Sequence, residues 1–367
     1  MSSHPRILII TAAFGEGHNS AARNLSLAFD MSGTESQVSD PCLLGAPHST
    51  AVIQWVYRLV TTHFPKIWEK IYRGTDKCDF SKPRLPLMRR PESFLQGLVD
   101  EYQPSAVVST YPVYPYFLDR HFKETGQRLP VFTIVTDSIE INASWLRAPT
   151  DWFLVTDRKT LETMHQWGIP KEKIITTGFP VNPKFATLAP VSCEDSCKPF
   201  RILYFPTAKL PFIRRHSRAL LDASPDVQLT IVMGRNFRHL QSRAREIKSE
   251  YPGRVQLLGW TKKVPELLNK HHLVIGKAGG ATVHEAIAAQ CPMLIHHLVP
   301  GQEEGNLQLL QQLGAGDLAE NPKDLTQAVS NILAGDATKW RKMKAALREH
   351  DCNNGATTAS EFILSHI

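Results

Sequence analysis

The run Leu273-Val274-Ile275-Gly276-Lys277-Ala278-Gly279-Gly280-Ala281-Thr282-Val283-His284-Glu285-Ala286-Ile287-Ala288-Ala289 decides the fold. Its first three residues are a short apolar run that reads as a buried strand, and its last four read as a helix. Strand, glycine pair and helix start form a geometry that binds phosphate. Gly279 and Gly280 let the main chain approach an anion, and the first N–H groups and positive end of the helix face it. Glu285 falls about one turn into the helix, too deep to cap it. A carboxylate beside a diphosphate is costly unless it accepts hydrogen bonds, which a ribose hydroxyl pair would supply. A plain strand-to-helix turn is the alternative.

Working outward, similar apolar runs recur along the chain between helical patterns. Strands are predicted at Ile7–Ile10, Ala106–Ser109, Val131–Val135, Phe153–Val155 and Ile174–Thr176. A second set is predicted at Ile202–Phe205, Leu229–Met233, Val255–Leu258, Leu273–Ile275 and Met293–Ile295. Apolarity that is continuous rather than alternating is the mark of a strand covered on both faces. Two β/α sets imply an α/β protein with two doubly wound parallel sheets. Pro190, Ser192, Asp195, Ser196 and Pro199 cluster between them. The expected division is a first domain over 1–185, a linker over 186–199 and a second domain over 200–350, followed by a C-terminal segment over 351–367.

The first strand leads into Phe14-Gly15-Glu16-Gly17-His18-Asn19-Ser20. Gly15 and Gly17 make half of a dinucleotide fingerprint, but Ser20 stands where the third glycine would be, so a dehydrogenase is a weak reading. His18 is placed at the mouth of the crevice where open α/β sheets bind ligands. It is a candidate general base, because imidazole titrates near neutral pH; a surface or capping role is the alternative. Asp137 follows the strand 131–135 and suits either an acceptor hydroxyl or a helix cap. Turns at Gly234-Arg235-Asn236 and Gly259-Trp260-Thr261 end two strands of the second set. Pro300–Asn306 ends another, and there Gln302 and Glu303 offer groups suited to sugar hydroxyls.

Residues 50 to 100 differ in character. Trp55, Val56, Leu59 and Val60 recur at helical spacing, as do Trp68, Ile71 and Tyr72 after Pro65. Around them lie Arg58, Lys66, Lys70, Arg73, Lys77, Lys82, Arg84, Arg89 and Arg90. Aromatic and apolar faces beside a basic one suit an anionic lipid surface, and equally a helix packed on its own domain. The formal net charge of +7 favours an anionic partner without choosing between nucleic acid, lipid and a phosphorylated ligand. The six cysteines include no C-x-x-C pair, so reduced thiols are expected rather than zinc. The N-terminal apolar run is too short for a membrane span.

Taken together, these residues resemble the monogalactosyldiacylglycerol synthase and diacylglycerol glucosyltransferase family. Its members are inverting transferases of the GT-B fold, related to the transferase that makes lipid II. The N-terminal marks are residues 14–22, 64–68, 109–112, 135–137 and 177–181. The C-terminal marks are 234–236, 258–261, 277–285 and 300–304. The resemblance implies two Rossmann-like domains facing a cleft, with the C-terminal helix crossing back to the first. It makes His18 the base on the acceptor hydroxyl and Asp137 a second catalytic acid residue, and counts Gly17 among the donor-binding positions. It assigns uracil recognition to the turn of Thr261, with Gly234 among the donor-binding positions. Gly279, Gly280 and Thr282 resemble the diphosphate cradle, Glu285 the ribose ligand, and Gln302 and Glu303 the donor-sugar contacts.

The implied donor is UDP-galactose or UDP-glucose, with no cofactor and no metal. The implied acceptor is diacylglycerol, met at an anionic membrane surface through residues 50–90. Nucleic acid is not an implied partner. A cytoplasmic enzyme, peripheral on the inner face of the cell membrane, follows from the resemblance. Three departures stand out: Asn142 where the family has a histidine before Trp145, the glycine-free turn Phe205–Lys209, and the pair His271-His272. A non-catalytic nucleotide-sugar-binding or regulatory protein, and a GT-B enzyme with a soluble acceptor, are the rival readings.

Overall fold

The computed structural model describes residues 5–78, 86–207, 210–301, 303–350 and 354–367. The chain forms two compact units. The first comprises Met1–Pro183, Val299–Gly305 and Asn354–Ile367; the second comprises Lys184–Leu298 and Asn306–Asn353. Val299–Gly305 thus groups with the first unit, whereas the sequence reading placed it in the second domain.

In the first unit the strands are β1 (Arg6–Ile10), β2 (Glu35–Ser39), β3 (Ala106–Ser109), β4 (Val131–Ile134), β5 (Trp152–Val155) and β6 (Ile174–Thr176). They form one parallel sheet in the order β2-β1-β3-β4-β5-β6. The helices are α1 (Glu16–Met31), α2 (Pro41–Gly45), α3 (Pro47–His63), α4 (Pro65–Thr75), α5 (Arg89–Tyr102), α6 (Tyr114–Thr125), α7 (Ala143–Leu146) and α8 (Arg158–Gln166). Side chains of β1 alternate between two apolar clusters. Leu8 and Ile10 pack with Leu95, Val99 and Phe117, while Ile7 and Ile9 pack with Leu25 and Phe29. That two-sided burial is why the strand reads as continuously apolar.

The second unit carries β7 (Phe200–Tyr204), β8 (Val227–Val232), β9 (Val255–Leu258), β10 (Leu273–Lys277), β11 (Met293–His297) and β12 (Gly316–Leu318). They pair in parallel in the order β12-β11-β10-β7-β8-β9. Around them lie α9 (Leu210–Asp222), α10 (Phe237–Glu250), α11 (Val264–Lys270), α12 (Gly280–Ala288), α13 (Glu304–Gln312) and α14 (Pro322–His350), the last broken into two helical pieces by non-helical backbone at Ala334, Gly335, Asp336 and Ala337. The last helix, α15 (Gly355–Leu364), belongs to the first unit, where Ala359 and Ile363 join the cluster of Ile7 and Phe29. Its Gly355 lies against Gly178 and the Phe179 carbonyl so closely that a Cβ would collide with main chain.

The ten predicted strands are present. The two that were not predicted, β2 and β12, are sheet edges, and the sequence of β2, Glu-Ser-Gln-Val-Ser, is mostly exposed. Neither carries an apolar run by which to recognise it, unlike the edge strands β6 and β9.

Strand order fixes where ligands can bind. In each sheet the chain starts at an inner strand, builds outward on one side, then returns to the other. The reversal falls between β1 and β3 in the first unit and between β7 and β10 in the second. The crevice outside the carboxyl ends of such a pair is the binding position of open parallel sheets.

Candidate active site

In the first unit the loop after β1 is braced by Asp40. Its carboxylate accepts from Ala13 N at 2.9 Å and from Leu43 N at 2.9 Å. Gly17 and His18 are not in that loop but in the first turn of α1, which begins at Glu16. His18 therefore sits at the β1/β3 reversal. Its Nδ1 lies 3.0 Å from Thr136 Oγ1. Its ring meets Tyr111 edge-on with centroids 5.4 Å apart and lies 6.0 Å from the Trp145 ring. Burial lowers its pKa to about 4, and the Thr110 backbone carbonyl opposes that shift. The imidazole is consequently neutral at pH 7, the form that accepts a proton, while the same burial weakens it as a base. A hydroxyl both donates and accepts, so the Thr136 contact fixes the plane of the ring rather than its tautomer.

Asp137, just past β4, is half-buried. Its Oδ2 accepts from Trp145 Nε1 at 2.9 Å and from the Tyr72 hydroxyl at 3.4 Å. Burial pushes its pKa up to about 6, against the pull of those two donors. Trp145 thus stands between His18 and Asp137, touching both. Asn142, at the family's histidine position, caps α7 by accepting from Ser144 N at 2.9 Å. Its amide also donates to Thr75 Oγ1 at 3.0 Å and to the Tyr72 carbonyl at 3.4 Å.

In the second unit the glycine turn follows β10, one of the two strands at the reversal. The Val283 amide makes the bond back to the Gly279 carbonyl, at 3.0 Å. The N–H groups of Gly280, Ala281 and Thr282 come before that bond and lead out of the helix end. Gly279 has φ −68° and ψ 135°, values open to any residue, so its conformation does not require glycine. Beneath the turn, buried Asn306 donates to the Ala278 carbonyl at 2.9 Å. Glu285 is half-buried on α12, five residues on from Gly280.

Gly234 follows β8 with φ +56°, a left-handed value that favours glycine, and opens a short turn through Asn236. Thr261 follows β9 and its hydroxyl accepts from Lys263 N at 3.0 Å. Both lie at the same sheet edge as the glycine turn. Glu303 is buried and its carboxylate accepts from Val299 N at 3.1 Å within its own loop. Gln302 lies outside the described residues, as do Ala208 and Lys209 of the glycine-free turn. His271 and His272 are at the opposite, amino edge of the sheet. His272 Nδ1 accepts from Arg201 N at 2.9 Å, and its ring stacks on Phe200. That pair supports the sheet rather than a ligand.

On the surface of the first unit, α3 and α4 each begin on a proline, Pro47 and Pro65, where a missing N–H costs nothing. Val52, Trp55, Val56 and Leu59 of α3 are exposed, as are Phe64 and then Ile67 and Ile71 of α4; Trp55 is 63% exposed. Trp68 instead turns inward, edge-on to Tyr57. Lys82 and Arg84 lie outside the described residues. Among the described residues, no helix is long and apolar enough to cross a membrane.

The profile of the Monogalactosyldiacylglycerol (MGDG) synthase family matches residues 18–181, and that of the Glycosyltransferase family 28 C-terminal domain matches 211–352. Between them the two profiles cover most of the chain, and the protein is a glycosyltransferase similar to both. The Processive diacylglycerol beta-glucosyltransferase of Bacillus subtilis (strain 168) is 25% identical over 375 residues, spanning 100% of this chain and 96% of that protein. Its counterpart in Bacillus pumilus (strain SAFR-032) is 25% identical over 373 residues, 99% of this chain and 96% of that one. Among solved structures, MurG of Acinetobacter baumannii matches with TM-score 0.64 at 15% identity, over 98% of this chain and 99% of that chain. The UDP complex of S. aureus MnaA matches with TM-score 0.60 at 14% identity, over 99% and 95%. At such identities the structural likeness speaks for the fold, which is GT-B.

Of the residues proposed from sequence, His18 and Asp137 come together through Trp145 in the first unit. In the second unit Gly280, Thr282 and Glu285 lie on α12, with Gly279 at its N-cap. Sequence reading missed Tyr111, Thr136 and Trp145 as site residues, although Thr136 adjoins Asp137 and Tyr111 falls in a family mark. It also missed Asn306 and Tyr72, the latter 65 positions from its partner Asp137.

Proposed function

We propose that this transferase moves a hexose from UDP-glucose or UDP-galactose to the free hydroxyl of diacylglycerol, with inversion at the anomeric carbon. The observation that carries the reading is His18: a neutral imidazole at the strand reversal of the first sheet, with Trp145 and the Asp137 carboxylate beside it. The names of the Bacillus relatives support the lipid acceptor.

In this reading the hydroxyl oxygen attacks the anomeric carbon while its proton passes to His18. The bond from that carbon to the diphosphate oxygen breaks, and UDP leaves with the electron pair. Attack needs the two reacting atoms held about 3–3.5 Å apart. Charge growing on the diphosphate is met by the N–H groups and dipole at the start of α12, a contribution often the largest in such a reaction. Glu285 takes the ribose hydroxyls, the turn of Thr261 reads the uracil, and Gln302 and Glu303 hold the sugar. No resident cofactor or metal takes part in this scheme. The exposed apolar residues of α3 and α4, with Arg58, Lys66, Lys70 and Arg73, seat the protein peripherally on the anionic inner face of the cell membrane.

The test is purified protein with each UDP-hexose and diacylglycerol in mixed micelles. Lipid products are read by mass spectrometry and the anomer by NMR. A β-linked hexosyl diacylglycerol is expected. No lipid-linked hexose from either donor, or an α-linked product, would contradict the reading. Co-sedimentation with anionic vesicles tests the surface: an enzyme acting on a soluble acceptor stays in the supernatant.

A further inference from the structure

Helix α4 has no fully buried residue. Its inward positions, Trp68, Glu69, Tyr72, Thr75 and Asp76, are half-buried, while Lys66, Ile67, Lys70 and Ile71 are exposed. A helix with so little apolar burial is held cheaply and opens at low cost. Its seat rests instead on hydrogen bonds to the segment after β4. Tyr72 donates to Asp137, Asn142 donates to Thr75 Oγ1, and the Ala143 amide donates to Asp76 Oδ1 at 2.8 Å. The segment Val299–Gly305 leans on the same helix: a Cβ on Gly301 would lie 3.3 Å from the Tyr72 ring and 3.5 Å from Glu69.

We propose that Tyr72 is a positioning residue for Asp137, and that through it the seat of α4 sets where that carboxylate points. The inference rests on Asp137 belonging to the transfer site. The physical case is linkage. The hydrogen bonds that hold α4 are the ones that aim Asp137, so whatever steadies the helix steadies the carboxylate, and the reverse. Ile67 and Ile71 point outward, so a lipid surface touching them would steady the helix without touching the reacting groups.

Charged and titratable groups around the pair are Glu69, Arg73 and Asp76 on α4, Glu140 after β4, Glu304 from the segment Val299–Gly305, and His18 behind Trp145. The Tyr72 hydroxyl is one of two donors that favour ionised Asp137, and burial opposes them. Removing it leaves the Trp145 indole as the side-chain donor to Asp137 among the described residues, so Asp137 holds its proton to higher pH.

Tyr72→Phe, Asp137→Asn and the double variant are compared by kcat, KM for the UDP-hexose and the pH–rate profile. Tyr72→Phe is expected to lower kcat roughly tenfold, the scale of a lost orientation, with KM unchanged. Its acid limb should move to higher pH, and in the Asp137→Asn background it should cost nothing further. Amide exchange checks folding: faster exchange is expected in 137–146, with α5 and α6 unchanged. Tyr72→Phe keeping wild-type kcat and acid limb, or losing the same factor in both backgrounds, overturns the coupling while leaving Asp137 in the site. Full activity of Asp137→Asn removes Asp137 from the site, and the role of Tyr72 with it.

Discussion

The two units place their candidate ligand groups at equivalent strand reversals but build them from different material. In the first the candidate groups are side chains: His18, Asp137 and the aromatic residues Trp145, Tyr111 and Tyr72 that touch them. In the second they are largely main chain, the N–H groups ahead of α12 on a turn held by Asn306. Proton transfer needs a titratable group at a fixed point, whereas a diphosphate needs several donors of fixed charge. The side-chain half is therefore the one that single substitutions and pH should disturb.

The sharpest break of that contrast is His18→Ala. Loss of the base should cost kcat roughly 10³-fold, while affinity for the UDP-hexose stays within about twofold. Rapid-quench turnover and calorimetric binding on the same sample check both; transfer near the wild-type rate would remove His18 from the chemistry. Next in size is Glu285→Ala. A carboxylate that holds ribose through two hydrogen bonds is worth roughly ten- to a hundredfold in binding, so KM for the donor should rise by that factor with kcat little changed. A fall in kcat at constant KM would instead place Glu285 in the chemistry.

The smallest effect concerns stability. Burial holds His216, His272 and His296 in the second unit near pKa 4, and His18 likewise in the first. Unfolded histidine titrates near 6.5, so between about pH 6.5 and 4 the unfolded chain binds more protons and stability falls as pH falls. Below about 4 that loss levels off. Asp137, raised to about 6, acts with the opposite sign in the first unit: folded, it takes a proton in a window where the unfolded carboxyl does not. From pH 7 to 5 the second unit should lose more protection from amide exchange than the first. Equal losses, or a loss confined to the first unit, would break the comparison.

What was legible in sequence follows the same division. Strands covered on both faces showed as unbroken apolar runs, such as Ile7–Ile10 and Leu273–Ile275, while β2 and β12 at the edges did not. The main-chain half was legible because its determinants are contiguous: strand, glycines and helix within one short stretch. The side-chain half was legible only in part. His18 and Asp137 stood out as titratable residues at strand ends. Trp145 and Tyr72 did not, because indoles and phenols in apolar patterns read as core, and Tyr72 reaches Asp137 by way of a separate helix. The Asn142 departure is intelligible only once its bonds to α4 are seen.

The measurement closest to the central claim is pH dependence taken separately for chemistry and for donor binding, using a UDP-hexose, whose diphosphate diester does not titrate near neutrality. The side-chain half predicts that kcat falls on the acid side with an apparent pKa near 6, the value to which burial raises Asp137. The main-chain half predicts that the donor dissociation constant stays flat from pH 5 to 8. A kcat independent of pH over that range, or a donor affinity that falls along the same limb, would contradict the account.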